Sequence, residues 1–222
     1  MTKWLGGHAS RLASSAITRT ARAAKTNAEA SVSVRMVPGL WNTHTHCVNV
    51  ISAVPLPWLV RLVNEYAPQP REAAGEDHDP YPELMTDPRA PRISRVAQPD
   101  LISVAHRLWL FFAAVSESER AALFNDMLDD AELSPKVNER AELFWMTSRT
   151  DSGALLLAGC AAALLAATQG HNWRRLGTCA ADDCVDVYVD EAWRGARRYC
   201  STTCLNRARV RAYRSRQRAA SN

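Results

Sequence analysis

Cys179-Ala-Ala-Asp-Asp-Cys184 is followed, after fifteen intervening residues, by Cys200-Ser-Thr-Thr-Cys204. These two close pairs contain four of the six cysteines of this 222-residue chain. Zinc binds four thiolates in a tetrahedron, and a close pair in a tight turn or at a helix start supplies two of them. Two disulfide bonds are the alternative, but disulfide frameworks are typical of secreted proteins, and residues 1–35 lack the apolar core of a signal peptide. The spacing therefore predicts one structural Zn²⁺ bound by Cys179, Cys184, Cys200 and Cys204.

The sequence between the two cysteine pairs has the alternation of a β-strand. Residues 185–189 are Val-Asp-Val-Tyr-Val, and a turn over 192–195 would return 197–199 as the partner strand. Ser201 is a predicted N-cap, and the helix that it starts contains no Pro or Gly through its arginine-rich end. Residues 173–218 are therefore predicted to form a small treble-clef-like zinc module with four cysteine ligands, a β-hairpin plus a helix, in which zinc supplies the stability that so small a core lacks.

The predicted C-terminal helix carries many basic side chains. Residues 192–222 contain nine Arg and no Asp or Glu, and four of these arginines recur at helical spacing along one face. Like charges one turn apart destabilise a helix unless a polyanion neutralises them, and the guanidinium fork suits phosphates and guanine edges. We therefore expect a nucleic-acid contact rather than a solvated helix end, with Val210 and Tyr213 packed back on the hairpin. The predicted contact residues are Arg197, Arg198, Asn206, Arg207, Arg209, Arg211, Arg214, Arg216 and Arg218.

The charge of the chain is divided unevenly. Residues 1–35 carry six basic side chains and one acidic one, whereas residues 36–191 carry 12 basic and 22 acidic ones. A polyanionic partner is therefore expected at the basic ends, with the acidic body kept away by repulsion. Residues 1–35 are interpreted as a disordered basic arm, as a mis-assigned start with the true one at Met36, or as an organelle transit peptide. The sequence leaves all three open, and no fold is expected there.

Residues 55–170 are predicted to form a helical domain. An apolar stripe predicts a helix over Leu56–Tyr66, and helical periodicity predicts another over Asp100–Val115, with its first residue as the cap. Ser116 and Glu119 form the pattern of a capping box at the start of a third helix.

Two segments of this domain lack a helical pattern. Residues 68–99 hold seven of the eleven prolines together with six acidic side chains, and they are predicted to be a long loop. The apolar positions of residues 136–147 fit neither the helical nor the strand period well, so this segment is predicted to be either a pair of strands or a helix.

The longest apolar stretch of the chain is Ala154–Ala167, 14 residues that are mostly Ala and Leu. A membrane-spanning helix needs about 20 residues, so this stretch is predicted to be a buried helix. Asp151 or Ser152 would cap it, and it would end near Gln169-Gly170. The predicted fold class is therefore mainly α, with a helical N-terminal domain followed by the cysteine module.

The cysteine motif and its flanks also match a recognisable pattern. The chain contains the knuckle Cys179–Cys184, the run Arg197-Arg-Tyr-Cys200 and the tetrad Cys204-Leu-Asn-Arg207, followed by the arginine-rich helix. These segments resemble the CGNR zinc finger, a bacterial family, and preserve every one of its cysteine spacings. Leu205 stands in place of the signature Gly, and Tyr199 in place of the usual Trp.

A weaker resemblance precedes the module. Leu62-Val63-Asn64-Glu65 is similar to the Leu-x-Asn-Thr stretch that opens the companion ABATE domain, with Glu65 in place of Thr. The combined resemblance covers roughly residues 55–218 of this chain. Proteins of this type are described as stress-induced transcription regulators, so the resemblance implies DNA binding.

The sequence predicts a binding protein and not an enzyme, because it contains no phosphate-binding glycine loop, nucleophile elbow or metalloprotease helix. We expect a cytoplasmic, nucleoid-associated bacterial regulator that binds DNA through its zinc module. RNA binding and docking on an acidic protein partner are the alternatives left open. A homodimer is compatible with the chain, although no heptad seam indicates an interface. No membrane contact is expected, and no small-molecule effector or target sequence is specified.

Overall fold

The structure is a computed structural model that describes residues 48–82, 96–168, 173–190 and 197–220. Within these residues the chain forms six α-helices and two small antiparallel sheets. The predicted mainly α fold with a small C-terminal cysteine module is thereby confirmed. Three predicted features lie outside the described residues, namely the unfolded segment 1–35, the part of the acidic loop over 83–95, and the turn over 192–195.

The first helix, α1, has the predicted bounds Leu56–Tyr66. Pro55 precedes it and Pro57 lies in its first turn, where a missing backbone N–H costs nothing. The predicted apolar stripe is buried in the core, and its members are Trp58, Leu59, Leu62 and Val63.

The expectation of a continuous loop over 68–99 was wrong at its start, because α2 spans Pro68–Ala74. Proline density normally indicates a break, but Pro is compatible with the first turn of a helix, where these prolines lie. The helix ends at Gly75, whose φ of 75° is in the left-handed region that glycine adopts readily. The buried side chain of Arg71 then donates to the carbonyls of Glu76 and Asp79 and orders the chain that follows.

Helices α3 (Gln98–Ala113) and α4 (Glu117–Asp130) follow. The prediction that Asp100 caps α3 was wrong, since the helix begins at Gln98, and the Asp100 carboxylate instead accepts a hydrogen bond from Ser152 (3.3 Å). Val115, predicted to be the end of the α3 stripe, lies beyond the helix and is exposed. At α4 the capping pattern is confirmed, because Ser116 Oγ accepts from the Glu119 N–H at 3.1 Å.

Helix α5 spans Ser152–Thr168 and is the central helix of the core. It is apolar on all sides, which is the pattern of a helix surrounded by protein. Asp151 is its cap, because Asp151 Oδ1 accepts from the Ala154 N–H at 2.9 Å. Gly159 permits a close approach, since a Cβ there would lie 3.1 Å from Cγ1 of Val54. In the described part of the chain, no helix is both long and apolar enough to span a membrane.

A three-stranded antiparallel sheet lies beside these helices. Its strand order is β1 (Asn49–Ile51), β3 (Leu143–Thr147) and β2 (Ser134–Val137). The open question about residues 136–147 is thus decided in favour of strands. Pro135 is compatible with β2 because that strand is at the sheet edge. Strand β1 has no counterpart in the sequence prediction.

The cysteine module consists of β4 (Leu176–Thr178), β5 (Val187–Val189) and α6 (Thr202–Ala220). The prediction that 197–199 pairs with the valine-rich strand was wrong, because β5 pairs antiparallel with β4, which precedes the first cysteine pair. Gly177 makes room for this pairing, since a Cβ there would lie 2.9 Å from the Tyr188 hydroxyl.

The hydrophobic core is continuous between the helical body and the β4–β5 hairpin. Leu176, Val187 and Val189 belong to the same buried cluster as the apolar residues of α1, α3 and α5. The hairpin therefore completes the core of the body, while α6 extends away from it.

Candidate metal centre and arginine helix

Four cysteine sulfurs meet where the β4–β5 turn faces the start of α6. All four Sγ atoms lie within 4.8 Å of one another, and Cys200 Sγ is 3.6 Å from Sγ of both Cys184 and Cys204. Sulfurs bound at 2.3 Å to a tetrahedral zinc are about 3.8 Å apart, whereas disulfide sulfurs are about 2.05 Å apart. The separations fit a metal site and not disulfides. Cys179, Cys184, Cys200 and Cys204 therefore hold one structural Zn²⁺, and four thiolates leave no position for a water.

Backbone hydrogen bonds fix the first cysteine pair. The N–H of Cys179 donates to the carbonyl of Asp186 at 2.7 Å, and the N–H of Ala180 donates to the carbonyl of Arg198 at 2.8 Å. The second pair is fixed by the predicted N-cap, because Ser201 Oγ accepts from the Cys204 N–H at 3.2 Å. Hydrogen bonds to the backbone therefore set both pairs in place.

Burial disfavours the thiolate form at two of the four cysteines. Burial raises the pKa of Cys184 to about 12, and burial likewise raises the pKa of Cys200. A hydrogen bond with Ser201 lowers the pKa of Cys204. Partly buried thiolates so close together repel one another, and a divalent ion supplies the positive charge that stabilises them.

Arg197, one of the predicted nucleic-acid contacts, is engaged within the module. Its guanidinium donates to the carbonyls of Tyr199 (3.0 Å), Val189 (3.2 Å) and Cys200, and it lies 5.1 Å from the centre of the Tyr188 ring. The Tyr188 hydroxyl in turn donates to the carbonyl of Arg197 at 2.5 Å. These contacts tie the segment before α6 to β5.

Two of the helix arginines contact acidic residues of the first knuckle. Arg207 Nη1 is 2.8 Å from Asp183 Oδ2, and Arg211 reaches Asp182 at 2.9 Å and Asp183 at 3.0 Å. The hydrogen bond from Arg207 lowers the pKa of Asp183. Sequence analysis missed this pairing, although an Asp-Asp dipeptide between two zinc ligands beside an arginine helix was a usable signal.

The remaining arginines of α6 are free of such contacts. Within the described residues, no carboxylate pairs with Arg209, Arg214, Arg216 or Arg218, and every residue from 209 to 220 is exposed. Asn206 and Arg198 are exposed as well. The prediction that Val210 and Tyr213 pack on the hairpin was wrong, since they are 48% and 57% exposed. Among residues that the structure describes, the second half of α6 extends beyond the module and packs against no other element.

Two side chains of α1 and α3 bond directly to the segment that contains β5. The Asn64 amide donates to the carbonyl of Val187 (3.1 Å) and accepts from its N–H (2.7 Å), and the Trp109 indole donates to the carbonyl of Val185 (3.0 Å). A cleft of about 750 Å³ lies beside these contacts, between the α1–α2 region and the zinc module. Sequence analysis assigned no role to Trp109, and it noticed Asn64 only within a resemblance.

The fold and site define residues 173–220 as a four-cysteine zinc module with an arginine-rich helix. Residues 175–217 match the family model described as the CGNR zinc finger. The expected family of the module is thereby confirmed, whereas the resemblance of residues 62–65 to an ABATE domain stays a prediction. No curated protein matches the chain.

Proposed function

We propose that this chain is a bacterial DNA-binding transcription regulator, located at the nucleoid in the cytoplasm and without enzymatic activity. The proposal depends on one observation above all. Residues 209–220 of α6 are all exposed, and four of their arginines, Arg209, Arg214, Arg216 and Arg218, are neutralised by no carboxylate of the described residues. Such a surface favours a polyanion as partner.

The zinc module is suited to present this helix. Zinc joins the start of α6 to the β4–β5 turn, so the direction of the helix is fixed by metal ligation and not by the small core. Arg214 and Arg218 lie on the same face as Arg207 and Arg211 and would contact phosphates. Near the zinc, Asn206, Arg207 and Arg211 would be closest to base edges if the helix enters the groove by its N-terminal end.

Fluorescence anisotropy on labelled duplex DNA between about 50 and 200 mM salt tests this proposal. Each phosphate contact contributes about −0.9 to the slope of log K against log salt, so four to six engaged arginines predict about −4 to −5. The double variant Arg214→Ala/Arg218→Ala should reduce the steepness of the slope by about two units. Lys136→Ala/Arg140→Ala, which removes the same charge from the exposed β2–β3 hairpin, should leave it unchanged.

The same titration separates the alternatives. Tighter binding to structured RNA than to duplex DNA would favour an RNA-binding protein. A flat salt dependence with both nucleic acids would exclude α6 as a nucleic-acid site and favour an acidic protein partner. Selection of bound sequences from random DNA tests the oligomeric state, since a palindromic site would indicate that the protein binds as a homodimer.

A further inference from the structure

The acidic dipeptide Asp182-Asp183 lies directly against the zinc-proximal arginines of α6. Asp183 bridges Arg207 and Arg211, and Asp182 contacts Arg211 alone. All four side chains are partly exposed, with Asp182 at 84% and Asp183 at 39%. Their contacts are therefore accessible to a competing anion.

The pairing divides the arginine face into two parts. Arg211 uses both of its terminal nitrogens on carboxylates, so its fork is occupied, whereas Arg214 and Arg218 further along the same face have no acidic neighbour in the described residues. A phosphate that approaches the paired arginines has to displace a carboxylate and also meets the charge of two aspartates. A phosphate that approaches the distal arginines does not.

Exposed ion pairs of this kind are weak enough to be exchanged. A lone phosphate makes about the same contact as the carboxylate that it replaces, so it gains little by exchange. A phosphate and a guanine edge both offer two acceptors to the guanidinium fork, but the guanine edge is neutral and is not repelled by the two displaced aspartates. It is also reached within a surface already bound through the distal arginines. Displacement is therefore favoured only where a base contact is added.

We propose that Asp182 and Asp183 are specificity-determining residues, which withhold Arg207 and Arg211 from non-specific phosphate binding and release them to a sequence that offers forked base contacts. This inference rests on the proposed function. Non-specific binding by α6 would then depend on Arg209, Arg214, Arg216 and Arg218, and the acidic pair would lower background binding along DNA.

The test compares Asp182→Asn/Asp183→Asn with wild type by anisotropy on a random-sequence duplex and on the duplex obtained by selection. We expect the slope on random sequence to become steeper by about one to two units, because two further arginines become available to phosphates. Affinity for random sequence should rise about tenfold at 100 mM salt. Affinity for the selected duplex should rise less, so that the specificity ratio falls at least threefold. The control Asp126→Asn/Asp129→Asn makes the same charge change on exposed positions of α4. It should alter neither the salt slope on random sequence nor the specificity ratio.

The outcomes are separable. Absence of salt-dependent binding by wild type would overturn the proposed function itself. Normal wild-type binding with an unchanged slope in the variant would overturn only the role of the acidic pair, as would a loss of selected-site affinity with unchanged random binding. Zinc content verifies that the variant is folded. If the double variant loses zinc, Asp183→Asn alone, which frees Arg207 and leaves Arg211 paired with Asp182, should steepen the slope by about one unit, and no change would again overturn the inference.

Discussion

Asn64 is the residue through which α1 holds the zinc module. Its side-chain amide makes one donor and one acceptor bond to the backbone of Val187, which is the pattern that a neighbouring strand would make. Val187 is fully buried, so water cannot replace these bonds. The amide therefore completes the outer edge of β5 in place of a strand.

Replacement of Asn64 by Ala should lower the free energy of unfolding by about 2 to 4 kcal/mol, because it leaves a buried N–H and a buried carbonyl of Val187 without partners. Urea unfolding followed by circular dichroism measures the change. Asn125→Ala, an exposed position on α4, is the control and should change stability by less than about 0.5 kcal/mol. Equal effects of the two substitutions would contradict the role given to Asn64.

At the residue scale, sequence predicted the zinc ligands but not the contacts around them. The four cysteines could be identified because metal ligation demands a residue type and a spacing that are both visible along the chain. Asn64 and Val187 are 123 positions apart, and an amide with one buried partner has no local signature. Arg197 was predicted to contact nucleic acid from its charge alone. Its hydrogen bonds to the carbonyls of Tyr199 and Val189 depend on how the chain folds back, which the sequence does not indicate.

The N-cap of α5 gives a prediction at the scale of the element. Asp151 accepts from the Ala154 N–H, and this bond is the main cause that lowers the pKa of Asp151 below its usual range. Asp151→Ala should therefore reduce stability by about 1 kcal/mol at neutral pH. Because the folded pKa is the lower one, the stabilisation is fully present above the unfolded pKa and is lost as pH falls through the folded value.

Asp151→Asn separates capping from charge. Asparagine caps a helix about as well as aspartate, so this variant should keep most of the stability at pH 7 but lose the part of the acid dependence that arises from Asp151. Urea unfolding of wild type and both variants at pH 7 and pH 3 measures the difference. An Asn variant as unstable as the Ala variant at pH 7 would show that the Ala154 bond does not cap α5.

Helices were predicted better than strands because their signals are local. The bounds of α1 and the capping box of α4 follow from residues within one or two turns. Strand β5 was recognised from its alternating valines, but its partner was not, since pairing with β4 spans the whole first knuckle. Strand β1 is three residues long and pairs with β3 almost a hundred positions later, so its sequence carries too little pattern to be found.

At the scale of the whole molecule, the main difference from expectation is the shared core. Sequence analysis gave the module a small core of its own that zinc stabilises. The structure places Leu176, Val187 and Val189 in one cluster with α1, α3 and α5. The sequence pattern of the hairpin and that of the helices would be the same if each folded alone. Neither pattern therefore indicates that the two apolar faces pack against each other.

Loss of zinc should therefore destabilise the entire chain and not only its C-terminal module. Zinc binding contributes about 10 to 16 kcal/mol in finger peptides, which is comparable to the total stability of a domain. Cys200→Ala should abolish zinc binding, release the β4–β5 hairpin, and expose the faces of α1 and α3 that it covers. We expect one cooperative thermal transition, shifted down by about 10 °C or more, in both far-ultraviolet circular dichroism and tryptophan fluorescence. Because the Trp109 indole donates to the carbonyl of Val185, tryptophan fluorescence is sensitive to separation of the module from the helical body.

The control is Cys160→Ala, which replaces a buried cysteine of α5 outside the metal site and should retain one zinc per chain by elemental analysis. A Cys200→Ala protein without zinc whose helices melt at the wild-type temperature would contradict the shared core.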